Sequence, residues 1–404
     1  MIHPSERAAN FHYAIRNVVS AAEALERQGR HIIHLNIGDP QAFGFKPPAE
    51  IIEAVDRATR NNFTGYSHSA GLRAARDVVA EYATSLGAET SPNDVVITSG
   101  ASEGADLLLT GLLNPGDEVL LPAPGYPIYS AIINRLDART RYYYLDHKTG
   151  WQPSLDEIRS LINDRTRALI LINPSNPTGA ITSDETTRQL IELAAEHNLL
   201  LISDEVYRDL CFVKAPTSAS VLGAGSGATI AVLESLSKTH MLSGWRVGWM
   251  RLTPPSQTRE LMDAVIKLAG GRLCSPTHSQ YAIQPALQGN RRSIDEFKEE
   301  ILRRRDIATK RVAAIDGLSC TVPDAAFYLM MHAADMGDRM DEQFVLDLLE
   351  ASNVLVVHGS GFGSDPRAGY FRLVYLADEA LLGSAFDSIE RSLPLLTAVA
   401  TGSA

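Results

Sequence analysis

The sequence predicts an α/β fold: a mostly parallel sheet sandwiched by helices, with a smaller α+β domain attached. Three observations lead there. Between residues 95 and 251, apolar runs of four or five residues recur without polar alternation, as strands do when both faces of a sheet are covered. Helix-like stretches separate these runs, and parallel strands need such crossovers. From about Pro276 the rhythm changes to a long helical stretch followed by scattered strands, which marks a second, smaller unit.

In chain order, residues 13–28 carry Ile15, Val18, Val19, Ala22 and Leu25 at helical spacing. Residues 32–37 read as a short strand running into Gly38-Asp39-Pro40, where Gly38 lets a ligand approach backbone amides. His31 and His34 are no metal pair, since residues three apart on a strand face opposite sides, and no metal is expected. Pro47-Pro48 opens a helix to about residue 61; Tyr66 follows in a loop, and 71–86 is helical. Residues 95–98 form a strand entering Ser99-Gly100-Ala101-Ser102-Glu103-Gly104, then an apolar helix to 113. Strand, small-residue turn and helix aim backbone amides at a phosphate, although no Gly-Lys-Ser/Thr closes the turn as in a nucleotide-binding loop. The strand at 118–121 ends in Pro122-Ala123-Pro124-Gly125-Tyr126-Pro127, which sets Tyr126 at a strand's C-terminal edge. Strands at 141–145, 168–172, 199–202, 230–233 and 247–251 continue the series, with helices at 155–162 and 182–198. Beyond 276 come a long helix ending near 314, strands at 327–331, 354–357 and 370–375, and helices near 343–349 and 378–392.

The composition of the 404 residues, 45% hydrophobic and 21% charged, is that of a globular protein with one large and one small domain. A net charge of −11 argues against a nucleic-acid partner or an acidic membrane surface. No run approaches the length of a membrane span, and Met1–Asn10 shows no leader pattern. Three widely separated cysteines fit a reducing compartment. The expected location is the cytoplasm.

The chemistry gathers around Ser235-Leu236-Ser237-Lys238, with Arg246 further on. A lysine that is partly desolvated beside other cations loses pKa and becomes a nucleophile toward carbonyls. A serine hydroxyl and a guanidinium fork suit a phosphate dianion. An aldehyde that also carries a phosphate would satisfy all three, and pyridoxal phosphate is such a molecule. Taken singly, each residue has a plain structural reading: a surface lysine, a turn glycine, a packed tyrosine, a surface salt bridge. Together they lie at the C-terminal ends of strands in one sheet, where open α/β sheets bind ligands. The amides of Ala101 and Ser102, with Ser235 and Arg246, would hold phosphate, and Tyr126 would stack on the ring. Asp204 would pair with the ring nitrogen, and Asn176 and Tyr207 would donate to its phenolate oxygen. Arg372 is left over and suits a substrate carboxylate.

The segments Asn176-Pro177-Thr178-Gly179, Ser203-Asp204-Glu205-Val206-Tyr207, Ser235-x-Ser237-Lys238 with Arg246, and Phe371-Arg372 occur in this order along the chain. In this the sequence resembles the class I/II aminotransferases of the aspartate-aminotransferase fold, the type I fold of pyridoxal-phosphate-dependent transferases. Within them it looks most like the microbial alanine aminotransferases, through Leu35-Asn36-Ile37-Gly38-Asp39-Pro40, Arg272-Leu273-Cys274 and Val357-His358-Gly359-Ser360-Gly361-Phe362-Gly363. Where many relatives have a proline after Gly71, this chain has Leu72-Arg73-Ala74-Ala75-Arg76.

The resemblance implies a homodimeric enzyme that passes an amino group from L-alanine, or a similar small amino acid, to 2-oxoglutarate. It implies that Lys238 carries the cofactor covalently and then shuttles a proton. Arg372, Asn176 and the backbone at Gly38 would hold the substrate's α-carboxylate, and Tyr66 would reach the phosphate in the neighbouring subunit. The chain is expected to divide into an arm at 1–45 that joins the small domain because it cannot fold alone, a large cofactor-binding domain at 46–285 and a small domain at 286–404. Competing expectations are aspartate, aromatic or branched donors, a lyase or decarboxylase on the same scaffold, a cofactor-binding regulator, and a chain that has lost activity. The regulator is disfavoured by the acidic charge, and loss of activity by the filled catalytic positions.

Overall fold

A computed structural model describes residues 15–398 and positions 2, 3 and 5. Its centre is a seven-stranded sheet built from β1 (Val95–Thr98), β2 (Glu118–Ala123), β3 (Arg139–Tyr144), β4 (Thr166–Ile172), β5 (Leu200–Asp204), β6 (Thr229–Ser235) and β7 (Gly248–Thr253). The order across the sheet is β1-β7-β6-β5-β4-β2-β3. The strands from β3 to β6 in that order pair in parallel. Only β7 runs antiparallel, to both β6 and β1.

Burial explains the unbroken apolar runs. Ile170, Ile202, Ala231 and Leu233 point into one buried cluster, while their neighbours Leu169, Leu171, Leu201, Ile230 and Val232 point into another. Successive side chains alternate between faces, so covering both faces with helices demands apolar residues at every position. Polar groups then gather mainly where the strands leave the sheet, and that is where the loops of interest begin.

A second, four-stranded antiparallel sheet lies later in the chain. Its order is Val357–His358, Tyr370–Val374, Tyr328–Ala333, Leu318–Cys320. Its core takes in Val18, Ala22, Leu25 and Leu35 from the N-terminal region, and also Val206, Tyr207, Leu210 and Met241 from loops that leave the large sheet. The two sheets therefore meet through apolar side chains next to Asp204 and Lys238. Among the described residues no helix is long and apolar enough to cross a membrane.

Several elements differ from the expectation. The stretch at 32–37 shortens to Ile33–His34, which pairs in parallel with Val354–Leu355. The strand expected at 354–357 is two strands in two sheets, because Val357–His358 joins Tyr370–Val374 instead. Helices Ile128–Arg135 and Pro255–Gly270 and strand Leu318–Cys320 were not expected. The long helix begins only at Arg292, after a short one at Ile283–Gln288. The first helix is Ile15–Arg27; residues 13 and 14 of its expected span, and most of Met1–Asn10, lie outside the described residues.

One row of the large sheet sets up the site. Gly248 pairs with Thr98 on one side and Ser235 on the other. A Cβ there would lie 2.7 Å from the carbonyl carbon of Gly100, 2.8 Å from the amide nitrogen of Ala101 and 2.9 Å from the oxygen of Glu234. All three are backbone atoms that cannot swing aside. Gly248→Ala is expected to destabilise the fold by about 1–3 kcal/mol, measured by chemical denaturation. Gly244→Ala, whose Cβ would meet nothing within 4 Å, serves as the control and should change little.

Candidate active site

A cavity of about 430 Å³ opens at the C-terminal ends of the parallel strands, within the range of small-ligand sites. All the residues singled out from the sequence line it, with the exception of Tyr66. Tyr66 is 84% exposed and lies outside this cavity.

One end of the cavity is built for an anion. The helix Ala101–Leu112 starts at Gly100, whose φ of 83° turns the chain sharply after β1. The first amides of a helix have no partner within it, and Ala101 and Ser102 line the cavity. Beneath them, Glu103 accepts the Ser99 amide at 2.6 Å and meets Arg272 at 2.7 Å, which braces the turn. Arg246 donates to the carbonyls of Ser99 at 3.0 Å and Ser243 at 2.8 Å. Its guanidinium lies where a side chain at residue 100 would start, and the positive φ of Gly100 itself favours glycine there. Ser235 caps the one-turn helix Leu236–Thr239, accepting the Ser237 amide at 3.0 Å. That cap fixes the turn on which Lys238 rides.

Lys238 projects into the middle of the cavity, its Nζ donating to the carbonyl of Gly38 at 2.6 Å. Burial pushes its pKa down to about 8; Asp39 opposes this, and Arg372 and Arg246 add to it. Asp39 is itself held by Ser243 Oγ at 2.8 Å. Asp204 ends β5, buried, accepting Tyr129 Oη–H at 2.7 Å and the Val206 amide at 3.3 Å. Burial pushes this carboxyl up to about 6, while those two hydrogen bonds favour its ionised form. Tyr207 is buried too, its hydroxyl 2.7 Å from that of Tyr328. Tyr126 stands half-buried on the rim, edge-on to Tyr129.

The other end is built from the small sheet. Arg372, 3% exposed, donates to Asn176 Oδ1 at 3.0 Å and to the Asn36 carbonyl at 2.5 Å. Its guanidinium carbon lies 4.6 Å from the ring centre of Tyr328 and 4.6 Å from that of Phe362. Gly38 is also forced, because a Cβ there would strike the Tyr328 hydroxyl.

The donor set fits pyridoxal phosphate. A phosphate cradle, an amine that forms carbonyl adducts and a desolvated carboxylate occur in one cavity, as a phosphorylated aldehyde with a basic ring nitrogen requires. The side-chain amide of Asn36 points the same way: it is 1% exposed, lines the cavity, and neither of its polar atoms has a hydrogen-bond partner in the protein. A buried amide left unpaired is costly, so the cavity is shaped for a polar occupant. Tyr129, Tyr328, Asn36 and Asp39 were missed from the sequence. Tyr129 could have been found three residues after Tyr126 had the helix Ile128–Arg135 been recognised.

Fold and site together define an enzyme of the pyridoxal-phosphate type, and comparison with known proteins narrows this. Residues 30–389 match the family described as aminotransferase class I and II. The chain is 35% identical over 397 residues to the glutamate-pyruvate aminotransferase AlaA of Haemophilus influenzae, covering 96% of this chain and 97% of that one. It superimposes on the alanine aminotransferase of Pyrococcus furiosus with a TM-score of 0.94 at 36% identity, covering 97% and 100% of the two chains. The aspartate aminotransferase of Rhizobium meliloti gives a TM-score of 0.91 at 28% identity over 98% of this chain and 99% of that one. The chain belongs to the class I and II aminotransferases, and it is a pyridoxal-phosphate-dependent enzyme.

The Asp204 carboxyl ties proton binding to stability. Its pKa is higher folded than unfolded, so the folded chain binds the proton more tightly, and stability falls as pH rises between the two values. In the cofactor-free protein, Asp204→Asn should therefore gain about 3 kcal/mol relative to wild type between roughly pH 4 and pH 7. Denaturation series at the two pH values would measure it, and parallel profiles would contradict it.

Proposed function

We propose that the enzyme moves the amino group of L-alanine, or a similarly small amino acid, to 2-oxoglutarate in two half-reactions at one cavity, giving pyruvate and L-glutamate. The likeness to relatives named as glutamate-pyruvate and alanine aminotransferases supports this substrate pair. The observation that carries the mechanism is the presence of the Lys238 amine and the Arg372 guanidinium in the same cavity as the buried Asp204. Pyridoxal phosphate, when bound, supplies the electron sink that lets a proton leave the substrate's Cα.

The chain's residues do the rest. Lys238 would hold the cofactor through its amine; once the substrate's own amine displaces it, the freed Lys238 amine is placed to take the proton from the substrate's Cα. With its pKa near 8, a useful share of the amine is neutral at physiological pH, as a general base needs. Asp204 would pair with the ring nitrogen, and a positive charge there would keep the carboxyl ionised despite burial. Tyr207 and Asn176 donate to the ring oxygen. The Asn176 carbonyl already serves Arg372, which leaves its NH₂ for that task. Ser235, Arg246 and the amides of Ala101 and Ser102 hold the phosphate, and Tyr126 stacks on the ring. Arg372, with Asn176 and the backbone at Gly38, clamps the substrate carboxylate.

The proposal includes a cytoplasmic homodimer in which Tyr66 completes the partner's phosphate site. Its support is that Tyr66, Phe63 and Leu273 are all exposed, with Arg272 donating to the Ser69 carbonyl at 3.4 Å to link the two loops. It also includes the division into 1–45, 46–285 and 286–404.

Borohydride reduction of the holoenzyme followed by peptide mapping should place the pyridoxyl group on Lys238; recovery on another lysine would overturn that role. A panel of amino acids read by visible absorption should rank alanine first, with glutamate as the reverse donor and weaker activity on a few others. A methylene more or less is worth only about 1–3 kcal/mol, so longer donors are not strictly excluded. Preference for an aromatic or branched donor would sink the substrate assignment and leave the aminotransferase intact. Arg372→Lys should lower kcat/KM for alanine and glutamate together, by about tenfold or more, the worth of a charge-assisted hydrogen bond.

A further inference from the structure

The segment His358-Gly359-Ser360-Gly361-Phe362-Gly363 has no role in the reaction as described, yet it is built with unusual constraint. Val357 and His358 pair with Arg372 and Phe371, so the segment leaves the small sheet beside the substrate arginine. A single 3-10 turn, Gly359–Phe362, follows and ends at Gly363 with φ of 89°. Gly359 has no space for a side chain, since a Cβ would lie 2.7 Å from both the Cβ and the carbonyl oxygen of Tyr370.

The turn is pinned from outside by one carboxylate. Asp341, at the start of helix Asp341–Ser352, is 1% exposed. One of its oxygens accepts the Ser360 amide at 2.5 Å; the other lies 2.7 Å from Ser360 Oγ. That hydroxyl is also 2.8 Å from Nδ1 of the buried His358. Ser360 thus bridges a buried acid and a buried imidazole, whichever group holds the shared proton. Two residues later, the Phe362 ring centre lies 4.6 Å from the guanidinium carbon of Arg372, and the Tyr328 ring centre lies at the same distance. The Phe362 carbonyl accepts the Gly125 amide at 2.8 Å, which ties the turn to the loop carrying Tyr126.

We propose that Asp341, Ser360 and His358 are positioning residues that hold Phe362 against Arg372 and so pre-align the fork that receives the substrate carboxylate. The inference rests on the assignment of Arg372 to that carboxylate. Two aromatic rings at cation–π distance, together with the hydrogen bonds to Asn176 and Asn36, limit how far the guanidinium can tilt, so its bidentate geometry is set before the substrate arrives. If the turn slackens, Phe362 withdraws and the fork can tilt. Every substrate carries the α-carboxylate, so all should be weakened alike. Proton transfer at Lys238 involves none of these groups and should be little changed.

The test uses the holoenzyme. Ser360→Ala should raise KM for alanine and for 2-oxoglutarate by about tenfold each, with kcat within about threefold of wild type. The affinity for propionate, a carboxylate without an amine, should fall by a similar factor in calorimetry. The visible spectrum of the bound cofactor should not move. Phe362→Leu, which leaves the Asp341 clamp in place, should reproduce the same pattern, and it decides the matter if Ser360→Ala does not fold. Unchanged KM and propionate affinity, or a fall in kcat without a rise in KM, would overturn the proposal. Arg372→Lys separates the two levels. If it weakens propionate while the Ser360 and Phe362 variants do not, only the positioning role fails. If it leaves propionate binding unchanged, the carboxylate assignment of Arg372 fails first.

Discussion

The site depends on a close approach of backbones that only glycine permits. At Gly248 the antiparallel strand β7 lies so near to Gly100, Ala101 and Glu234 that three chain segments are locked into one row. That row joins the turn presenting the Ala101 and Ser102 amides to Ser235, the cap of the helix carrying Lys238. Arg246 lies two residues before Gly248 and reaches across to the Ser99 carbonyl, its guanidinium in the space left by Gly100. An anion cradle drawn from distant parts of the sequence is thus held by sheet register rather than by side-chain packing alone.

Behind this row the sheet buries charge. Glu234 lies next to Ser235 in the chain and Glu205 next to Asp204. Trp249 donates to Glu234 at 2.9 Å, and Arg251 meets it at 3.2 Å. Arg208 lies between the two acids, 3.4 Å from Glu205 and 3.5 Å from Glu234. Burial alone would raise the Glu234 pKa, but Arg251 and Arg208 bring it below its ordinary value. Buried ion pairs add little net stability, yet removing one partner strands the other at high cost. The network therefore fixes where the ends of β5 and β6 lie, and Asp204 and Ser235 inherit that position.

The large sheet was legible because its inner strands are buried on both faces, which writes apolar character at every position from Ile230 to Leu233. Most of the cavity residues were legible because, like Ser102, Asn176, Asp204 and Ser235, they are polar residues at or just beyond the ends of apolar strands. Strand direction was not legible: Val247–Arg251 has the same local pattern as its parallel neighbours, and only the paired register shows β7 reversed. The helix Pro255–Gly270 escaped because its buried stripe, Thr258, Met262, Val265 and Ala269, is thin and mixed in character. The helix Ile128–Arg135 was hidden by its short length and by the proline-rich loop it follows, and Tyr129 went unseen with it. Tyr328 and Phe362 are buried core aromatics, and their place beside Arg372 depends on contacts between distant parts of the chain that no local pattern carries. No local pattern could assign Tyr66, whose surroundings within one chain are solvent.

The seam between the two sheets has a bearing on how such enzymes diversify. Lys238 and Asp204 are carried by the large sheet, Arg372 by the small one, and between them lie Tyr207, Met241, Phe327 and Leu329 in a shared apolar core. The separation between the reacting amine and the carboxylate clamp is therefore a property of how two bodies nest. A few methyl groups gained or lost along that seam would lengthen or shorten the reach while every polar residue stayed the same. Chains with identical reactive residues can in this way diverge in the substrates they prefer, and the record of that divergence lies in hydrophobic positions that motif comparisons pass over.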